Sequence, residues 1–302
     1  MKKAVVFILL ICFFMPSETM ASMGEDKTYI AVMKRDILCL MAAYPEYIAD
    51  LEQKTDGSVY LVMKSGRKLI YDDKRVKSYG EKLFNPDLQD TLEQIYPLST
   101  IKSLMEDNYD PGRFRVYALL SEVYGASREN IEKRLSVLSG CHGLRFNSCN
   151  KASESFSAAM KELTPLANAD KSIGSCVYPF GGTYNYRLIA GTNQLSPHSF
   201  GIAVDLAVNK KDYWKWAAKS DGNKRLGVYP EEIVKIFEKN NFIWGGKWGH
   251  FDIMHYEYRP EIIFKARYFS NKPDSSMPWY EGVPMDNMLI QNAVGKINDE
   301  IK

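Results

Sequence analysis

The segment 201–208, Gly-Ile-Ala-Val-Asp-Leu-Ala-Val, alternates between two kinds of side chain and is the strongest constraint on the fold. Such alternation indicates a β-strand, because successive side chains point to opposite faces of a sheet. One face would carry branched apolar residues that pack on a core: Ile202, Val204, Leu206 and Val208. The other face would carry small residues around a single carboxylate, Asp205. A face of this kind leaves room for a ligand above the sheet.

The segment 244–258 concentrates Trp, Gly, His and acidic residues. Asp252 and His255 lie three positions apart in it, so on one straight strand their side chains would point to opposite faces. They can converge only if a turn separates them. We therefore predict that a strand begins near His255, with His255 and Glu257 on the same face.

Two histidines and one aspartate, His198, Asp205 and His255, form a sufficient ligand set for one zinc ion. Catalytic zinc keeps a further position for water and lowers the pKa of that water to about 7. A carboxylate off the metal must then take the proton of the water and return it to the leaving amine, and Asp252 is placed for this role. Arg187, eleven residues before His198, is a candidate for holding a substrate carboxylate or the developing oxyanion. Other divalent ions also bind His/Asp sites, so zinc is inferred from ligand type.

The two segments share an ordered motif, Ser-x-His-x-x-Gly-x-Ala-x-Asp at 196–205 and Asp-x-x-His-Tyr-Glu at 252–257. Together they resemble the zinc peptidases of bacterial cell-wall metabolism. This is the family of D-alanyl-D-alanine carboxypeptidases, D-Ala-D-Ala dipeptidases and L-alanyl-D-glutamate endopeptidases. The resemblance covers about residues 175–265, and one mild departure is Tyr256, where Phe is usual.

The resemblance implies zinc on His198, Asp205 and His255, with Asp252 as general base and Arg187 as the substrate-binding arginine. It also implies that the substrates are peptidoglycan stem peptides. Some family members carry Glu at the base position, and aspartate there looks more like the endopeptidase branch, which cleaves between L-Ala and D-Glu. The alternative within the family is a D-alanyl-D-alanine carboxypeptidase.

Two alternative functions lie outside this family. A non-catalytic zinc-containing module that binds the cell wall could keep the same ligands, but a purely structural metal would not need Asp252. A serine peptidase of the penicillin-binding type needs Ser-x-x-Lys on a helix. Ser65 and Lys68 match by letters alone, since they lie in a predicted hairpin turn.

The first 21 residues have the pattern of a secretory signal. Lys2 and Lys3 precede an apolar run over 4–14, and small residues follow near Ala21, where we expect cleavage. We therefore predict an exported protein of the periplasm, cell envelope or extracellular space, and no later apolar stretch is long enough to cross a membrane. The chain has 39 Lys and Arg against 37 Asp and Glu, a balance that argues against nucleic acid as a partner.

Export to an oxidising compartment permits disulfides between the four cysteines that follow residue 21. Three connectivities are possible, and no pairing at all is a further alternative. Cys141 and Cys149 are close in sequence, so we favour a disulfide between them.

The predicted fold class is α+β. A small antiparallel sheet with flanking helices would carry the zinc site, preceded by a helix-rich domain. We place a signal peptide at 1–21, a helix-rich N-terminal domain with a β-hairpin at 22–170, and a zinc peptidase domain with a C-terminal tail at 171–302. No linker separates the two domains, so they are expected to pack together. Helices are predicted over 29–51, 87–95, 113–124, 127–138, 152–166 and 231–239.

Overall fold

The computed structural model describes residues 17–138 and 143–301, with side chains from Lys27 onward. Within these ranges the chain is a mixture of helices and short antiparallel strands, as the predicted α+β class requires. The helices are α1 (Ser17–Ala43), α2 (Tyr79–Phe84), α3 (Leu88–Leu92), α4 (Tyr117–Tyr124), α5 (Arg128–Glu132), α6 (Ala152–Ala169), α7 (Lys171–Val177), α8 (Lys219–Val228), α9 (Glu231–Lys239), α10 (Pro260–Tyr268) and α11 (Met288–Glu300). The strands are β1 (Ile48–Gln53), β2 (Val59–Met63), β3 (Lys68–Ile70), β4 (Leu135–Val137), β5 (Arg145–Asn147), β6 (Phe180–Gly182), β7 (Ala203–Ala207), β8 (Phe242–Trp244) and β9 (His255–Tyr258).

The strands of the described residues form three antiparallel sheets. The first has the order β1-β2-β3, and the second pairs β4 with β5. The third has the order β6-β7-β9-β8 and contains the two motif segments. In its register Asp205 lies directly opposite His255, and Ala203 lies opposite Glu257. Directly opposed residues of an antiparallel pair project from the same face, so the register itself brings Asp205 to His255.

The sheet that carries the motifs is held by apolar residues on its other face. Ile202, Val204 and Leu206 are fully buried, as the alternation predicts. Val208 is 57% exposed, so its predicted place in the core is wrong, because the strand ends at Ala207. In α9, Ile233, Val234 and Phe237 form one buried face at helical spacing, which covers β8.

Both predicted domains contribute to one continuous core of buried residues. Helix α1 lies against α10 and α11 near the C-terminus, and α6 packs on α7, α9 and β5. The predicted close packing of the two parts is therefore present, and the boundary at residue 170 stays a prediction. Within the described ranges, every helix is too short or too polar to cross a membrane.

Two predicted helices are shorter than expected, and a strand occupies the last part of each predicted range. The helix predicted over 29–51 ends at Ala43, two residues before Pro45, and Ile48–Gln53 pairs with β2. Proline blocks a continuing helix, and the residues after it are buried through strand pairing instead. The helix predicted over 127–138 ends at Glu132, and Leu135–Val137 pairs with β5. The predicted hairpin at 59–71 is confirmed as β2 and β3.

Two predictions fall wholly or partly outside the described residues. The signal peptide covers 1–21, of which 17–21 form the start of α1. The favoured disulfide needs Cys141, which is not among the described residues.

Candidate metal centre and active site

His198 is fixed by a short 3-10 turn, Pro197–Phe200, which precedes β7. The Ser196 hydroxyl accepts a hydrogen bond from the His198 backbone N–H at 3.3 Å and begins the turn. Gly201 ends it with φ of 68°, a left-handed conformation that favours glycine. The ring Nδ1 of His198 lies 2.6 Å from the carbonyl oxygen of Thr183. Because Nδ1 must donate to that carbonyl, Nε2 keeps its lone pair for a ligand.

Three ligand atoms converge above the small-residue face of β7. Nδ1 of His255 lies 2.9 Å from Oδ1 of Asp205 and 3.2 Å from Nε2 of His198. Nε2 of His198 lies 3.3 Å from the same carboxylate oxygen. Ligands about 2.0–2.1 Å from one tetrahedral zinc ion would stand about 3.3 Å apart. The donor types and their spacing therefore fit a divalent cation such as zinc.

The charges of this group are mutually dependent. Burial raises the pKa of Asp205, but His198 and His255 outweigh it, and the net pKa lies well below the usual value. Burial lowers the pKa of His255, whereas the hydrogen bond to Asp205 and the nearby carboxylate of Glu257 raise it to about 10. Without an ion, His255 therefore holds a proton that balances the Asp205 carboxylate. An ion bound there must displace that proton, so binding would weaken as the pH falls.

Glu257 supports the far side of the His255 ring. Its Oε2 lies 3.8 Å from His255 Nε2, and its side chain is fully buried. Arg115 approaches Glu257 with Nε at 2.8 Å and Nη2 at 2.5 Å from the two carboxylate oxygens, and Arg259 Nη1 lies at 3.4 Å. Burial raises the pKa of Glu257, but Arg115 and the nearby His255 ring lower it more, so the carboxylate stays ionised. A carboxylate behind a histidine ligand is the usual device that orients the ring.

Asp252 stands next to the three-atom group, after the turn that the sequence predicted. The backbone N–H of His255 donates to the carbonyl of Asp252 at 3.1 Å, and β9 begins at His255. Oδ1 of Asp252 is buried and has no hydrogen-bond partner among the described residues. Burial raises the pKa of Asp252 to about 7, helped by Asp205 and opposed by His255 and Arg113. A shielded carboxyl with a pKa near neutrality is suited to exchange protons.

All five predicted site residues border one cleft of about 150 Å³, which we call the site cleft. Arg187 lies at its exposed edge, and the Arg187 backbone is tied to the His198 turn through Ser199. The other side chains that line it are Arg113, Arg115, Ile189, Ala190, Ser196, Pro197, Tyr213, Trp214, Lys215, Trp248 and His250. The fold therefore brings together the five residues that the sequence singled out, and their roles stay predictions.

Sequence reasoning missed the wall that the earlier part of the chain contributes. Arg113 and Arg115 line the site cleft from the segment before α4. In the same segment, the buried Asp110 carboxylate lies 2.7 Å from Nδ1 of His250, which also lines the cleft. Asp110, Arg113 and Arg115 lie far from His198 in sequence, so no local spacing links them to the motif. The one sequence feature that marks this segment is Asp-Pro-Gly at 110–112, which is typical of a turn.

Comparisons with known proteins find one matching family and one similar curated protein. Residues 190–258 match the family model described as D-alanyl-D-alanine carboxypeptidase. A segment of 67 residues is 39% identical to the peptidoglycan L-alanyl-D-glutamate endopeptidase CwlK of Bacillus subtilis (strain 168), which is 22% of this chain and 40% of that relative. The chain thus spans about two fifths of the length of that relative. No solved structure matches the chain. Both matches confirm the family resemblance, and the family match covers His198, Asp205, Asp252 and His255.

Proposed function

We propose that this protein is a zinc-dependent peptidase that hydrolyses peptidoglycan stem peptides between L-alanine and D-glutamate. The observation that carries the proposal is the His198–Asp205–His255 group with the unpartnered carboxyl of Asp252 beside it in one cleft. A structural metal site is closed by a fourth protein ligand, whereas a catalytic site keeps an open position. Here three ligand atoms border an open cleft, which favours catalysis.

The ion would be held by Nε2 of His198, Nδ1 of His255 and the carboxylate of Asp205. When bound, zinc supplies Lewis-acid chemistry, because it acidifies water and polarises the carbonyl under attack. Oδ1 of Asp252 accepts the proton of the attacking water and delivers it to the leaving nitrogen. Arg187 holds the negative charge that develops on the carbonyl oxygen. The buried Glu257 keeps the His255 ring in its orientation.

The choice of bond rests on two findings. The endopeptidase reaction is supported by the aspartate at position 252 and by the name of the curated relative. The second candidate is D-alanyl-D-alanine carboxypeptidase, which the description of the matching family favours. Both reactions use the same metal group and the same proton transfer.

We further propose that the protein acts outside the cytoplasm, where peptidoglycan lies. The support is the pattern of residues 1–21, in which two lysines precede an apolar run and small residues follow. The test is the N-terminal sequence of the protein recovered from fractionated cells, which should begin near residue 22.

The enzymatic proposal is tested by digesting purified muropeptides with the protein and analysing the products by mass spectrometry. We expect a fragment that begins at D-Glu, which is lost with a chelator and restored by zinc. Loss of a terminal D-Ala would instead establish the carboxypeptidase. If the folded, zinc-loaded protein gives no product, the proposal is wrong, and the alternative of a non-catalytic wall-binding module is favoured.

A further inference from the structure

The cationic side chain of Arg113 lines the site cleft but comes from outside the segment that matches the family model. Arg113 lies outside residues 190–258, and its side chain is 20% exposed. Its guanidinium carbon lies 5.9 Å from the ring centre of Trp214 and 6.0 Å from that of Trp248. Trp248 in turn packs against His255, with ring centres 5.7 Å apart. Two indole rings therefore confine Arg113 beside the metal group.

The buried carboxylate of Asp110 anchors Arg113. Oδ2 of Asp110 accepts from Nη1 of Arg113 at 3.2 Å and from the hydroxyl of Tyr79, and it lies 2.7 Å from Nδ1 of His250. Nη1 of Arg113 also donates to the Tyr79 hydroxyl at 2.9 Å. Both contacts of Arg113 use the same nitrogen. Nε and Nη2 therefore have no hydrogen-bond partner among the described residues and remain available to an acceptor in the cleft.

The position of Arg113 relative to Asp252 limits what that acceptor can be. Arg113 and Asp252 line the same site cleft, and the Trp248 ring that contacts Arg113 also packs against His255, which follows Asp252 by three residues. Asp252 is also the group that must reach the leaving nitrogen of the substrate. A negative group that Arg113 binds should therefore lie within a few bonds of that nitrogen.

The two candidate substrates share such a group. In the stem peptide, D-glutamate is linked onward through its side-chain carboxyl, so the carbon that bears the scissile nitrogen also bears a free carboxylate. In a terminal D-Ala-D-Ala pair, the carbon that bears the scissile nitrogen likewise bears the terminal carboxylate. The carboxylate is therefore common to both reactions and lies two bonds from the atom that Asp252 protonates.

We propose that Arg113 binds the free carboxylate next to the leaving nitrogen and so restricts the enzyme to substrates that carry it. This inference rests on the proposed function. A guanidinium with two free nitrogens, Nε and Nη2, matches a carboxylate, and the indole rings hold it in place without using those nitrogens. Arg187, whose side chain is exposed, borders the same cleft and is left for the developing oxyanion.

The test compares two synthetic stem peptides that differ only at this group, one with the α-carboxylate of D-glutamate and one with an α-carboxamide. A second pair carries a terminal D-Ala-D-Ala with a free carboxylate or an amide. We expect the wild-type protein to cleave one carboxylate peptide about 10- to 100-fold faster than its amide in kcat/KM. Arg113→Gln should bring this ratio close to one, mainly by loss on the carboxylate peptide. Arg113→Lys should keep part of the preference.

Two controls separate recognition from a loss of structure. Arg67→Gln makes the same change at a half-exposed arginine in the hairpin between β2 and β3, and it should keep the wild-type ratio. Zinc content and melting temperature report whether Arg113→Gln is folded, and if it is not, Arg113→Lys provides the ratio. A folded Arg113→Gln variant that keeps the wild-type preference for carboxylate peptides would overturn the role of Arg113 and leave the proposed function intact. A wild-type protein that cleaves none of the four peptides contradicts the proposed function instead.

Discussion

Arg115 and Glu257 form a buried two-point ion pair between residues 142 positions apart in sequence. The pair joins the segment before α4 to β9, and Glu257 lies behind the ring of His255. Ions buried at this depth are stabilised only when both partners are present, because each alone would lose its hydration without compensation. The earlier part of the chain thus stabilises the charge that lies behind His255, the proposed metal ligand.

We expect Glu257→Gln to weaken both zinc binding and folding. Loss of the carboxylate behind His255 should lower zinc affinity about 10- to 100-fold, measured by competition with a coloured chelator. The unpaired Arg115 should lower the free energy of unfolding by about 3–5 kcal/mol, measured with urea. The double variant Arg115→Gln with Glu257→Gln should recover part of the stability but none of the affinity. Wild-type zinc affinity in Glu257→Gln would show that the ring needs no such support.

Asp252→Ala should separate catalysis from metal binding. In the proposed mechanism Asp252 moves the proton but does not hold the ion, so turnover of stem peptides should fall about 10²- to 10⁴-fold while one zinc per chain is retained. Rates by mass spectrometry and zinc by atomic absorption measure the two effects. Asp107→Ala, at an exposed aspartate of the described surface, is the matched control and should keep both. Near wild-type turnover of Asp252→Ala would assign the proton transfer to another group.

His198→Ala should abolish zinc binding and turnover together. The variant leaves two of the three proposed ligands, and it also removes the hydrogen bond between the ring and the carbonyl of Thr183. His250→Ala is the control, because His250 lines the same cleft but takes no part in the three-atom group. It should bind zinc normally in the same equilibrium-dialysis measurement. Full zinc occupancy of His198→Ala would exclude His198 as a ligand.

The grouping of His198, Asp205 and His255 could be predicted from the sequence largely because local rules fix the face on which each side chain lies. Alternation in 201–208 places Asp205 on the open face of β7, and the three-residue spacing from Asp252 to His255 requires the turn that precedes β9. The antiparallel pairing then aligns Asp205 with His255. The first two steps depend on residues that are close in the sequence, whereas the pairing joins residues 50 positions apart.

The cleft wall and two strands could not be predicted in this way. Asp110, Arg113 and Arg115 reach the site through tertiary packing, so no spacing rule connects them to His198. In 48–53 and 135–137 a few apolar residues fit a strand as well as a helix, and only the pairing partner decides between them. The structure therefore adds the contacts between distant segments that the sequence pattern leaves open.

The raised pKa of Asp252 predicts a cost in stability that depends on pH. An unfolded aspartate has a pKa of about 3.9, whereas burial raises the pKa of Asp252 in the folded protein to about 7. As the pH rises through this window the unfolded chain ionises first, so Asp252 makes the folded state progressively less stable, and above about pH 7 the whole cost is present. Below the window the carboxyl is neutral in both states and costs nothing.

Asp252→Asn removes this cost and should stabilise the metal-free protein at alkaline pH. We expect its free energy of unfolding to exceed that of the wild type by about 1–3 kcal/mol at pH 8, with a smaller difference at pH 5. Urea unfolding of both proteins after chelation measures the two values. Asp107→Asn should change neither by more than about 0.5 kcal/mol, since its carboxyl is exposed. If wild type and Asp252→Asn are equally stable at pH 8, the folded site does not disfavour the charge on Asp252, and the carboxyl is not tuned for proton transfer near neutral pH.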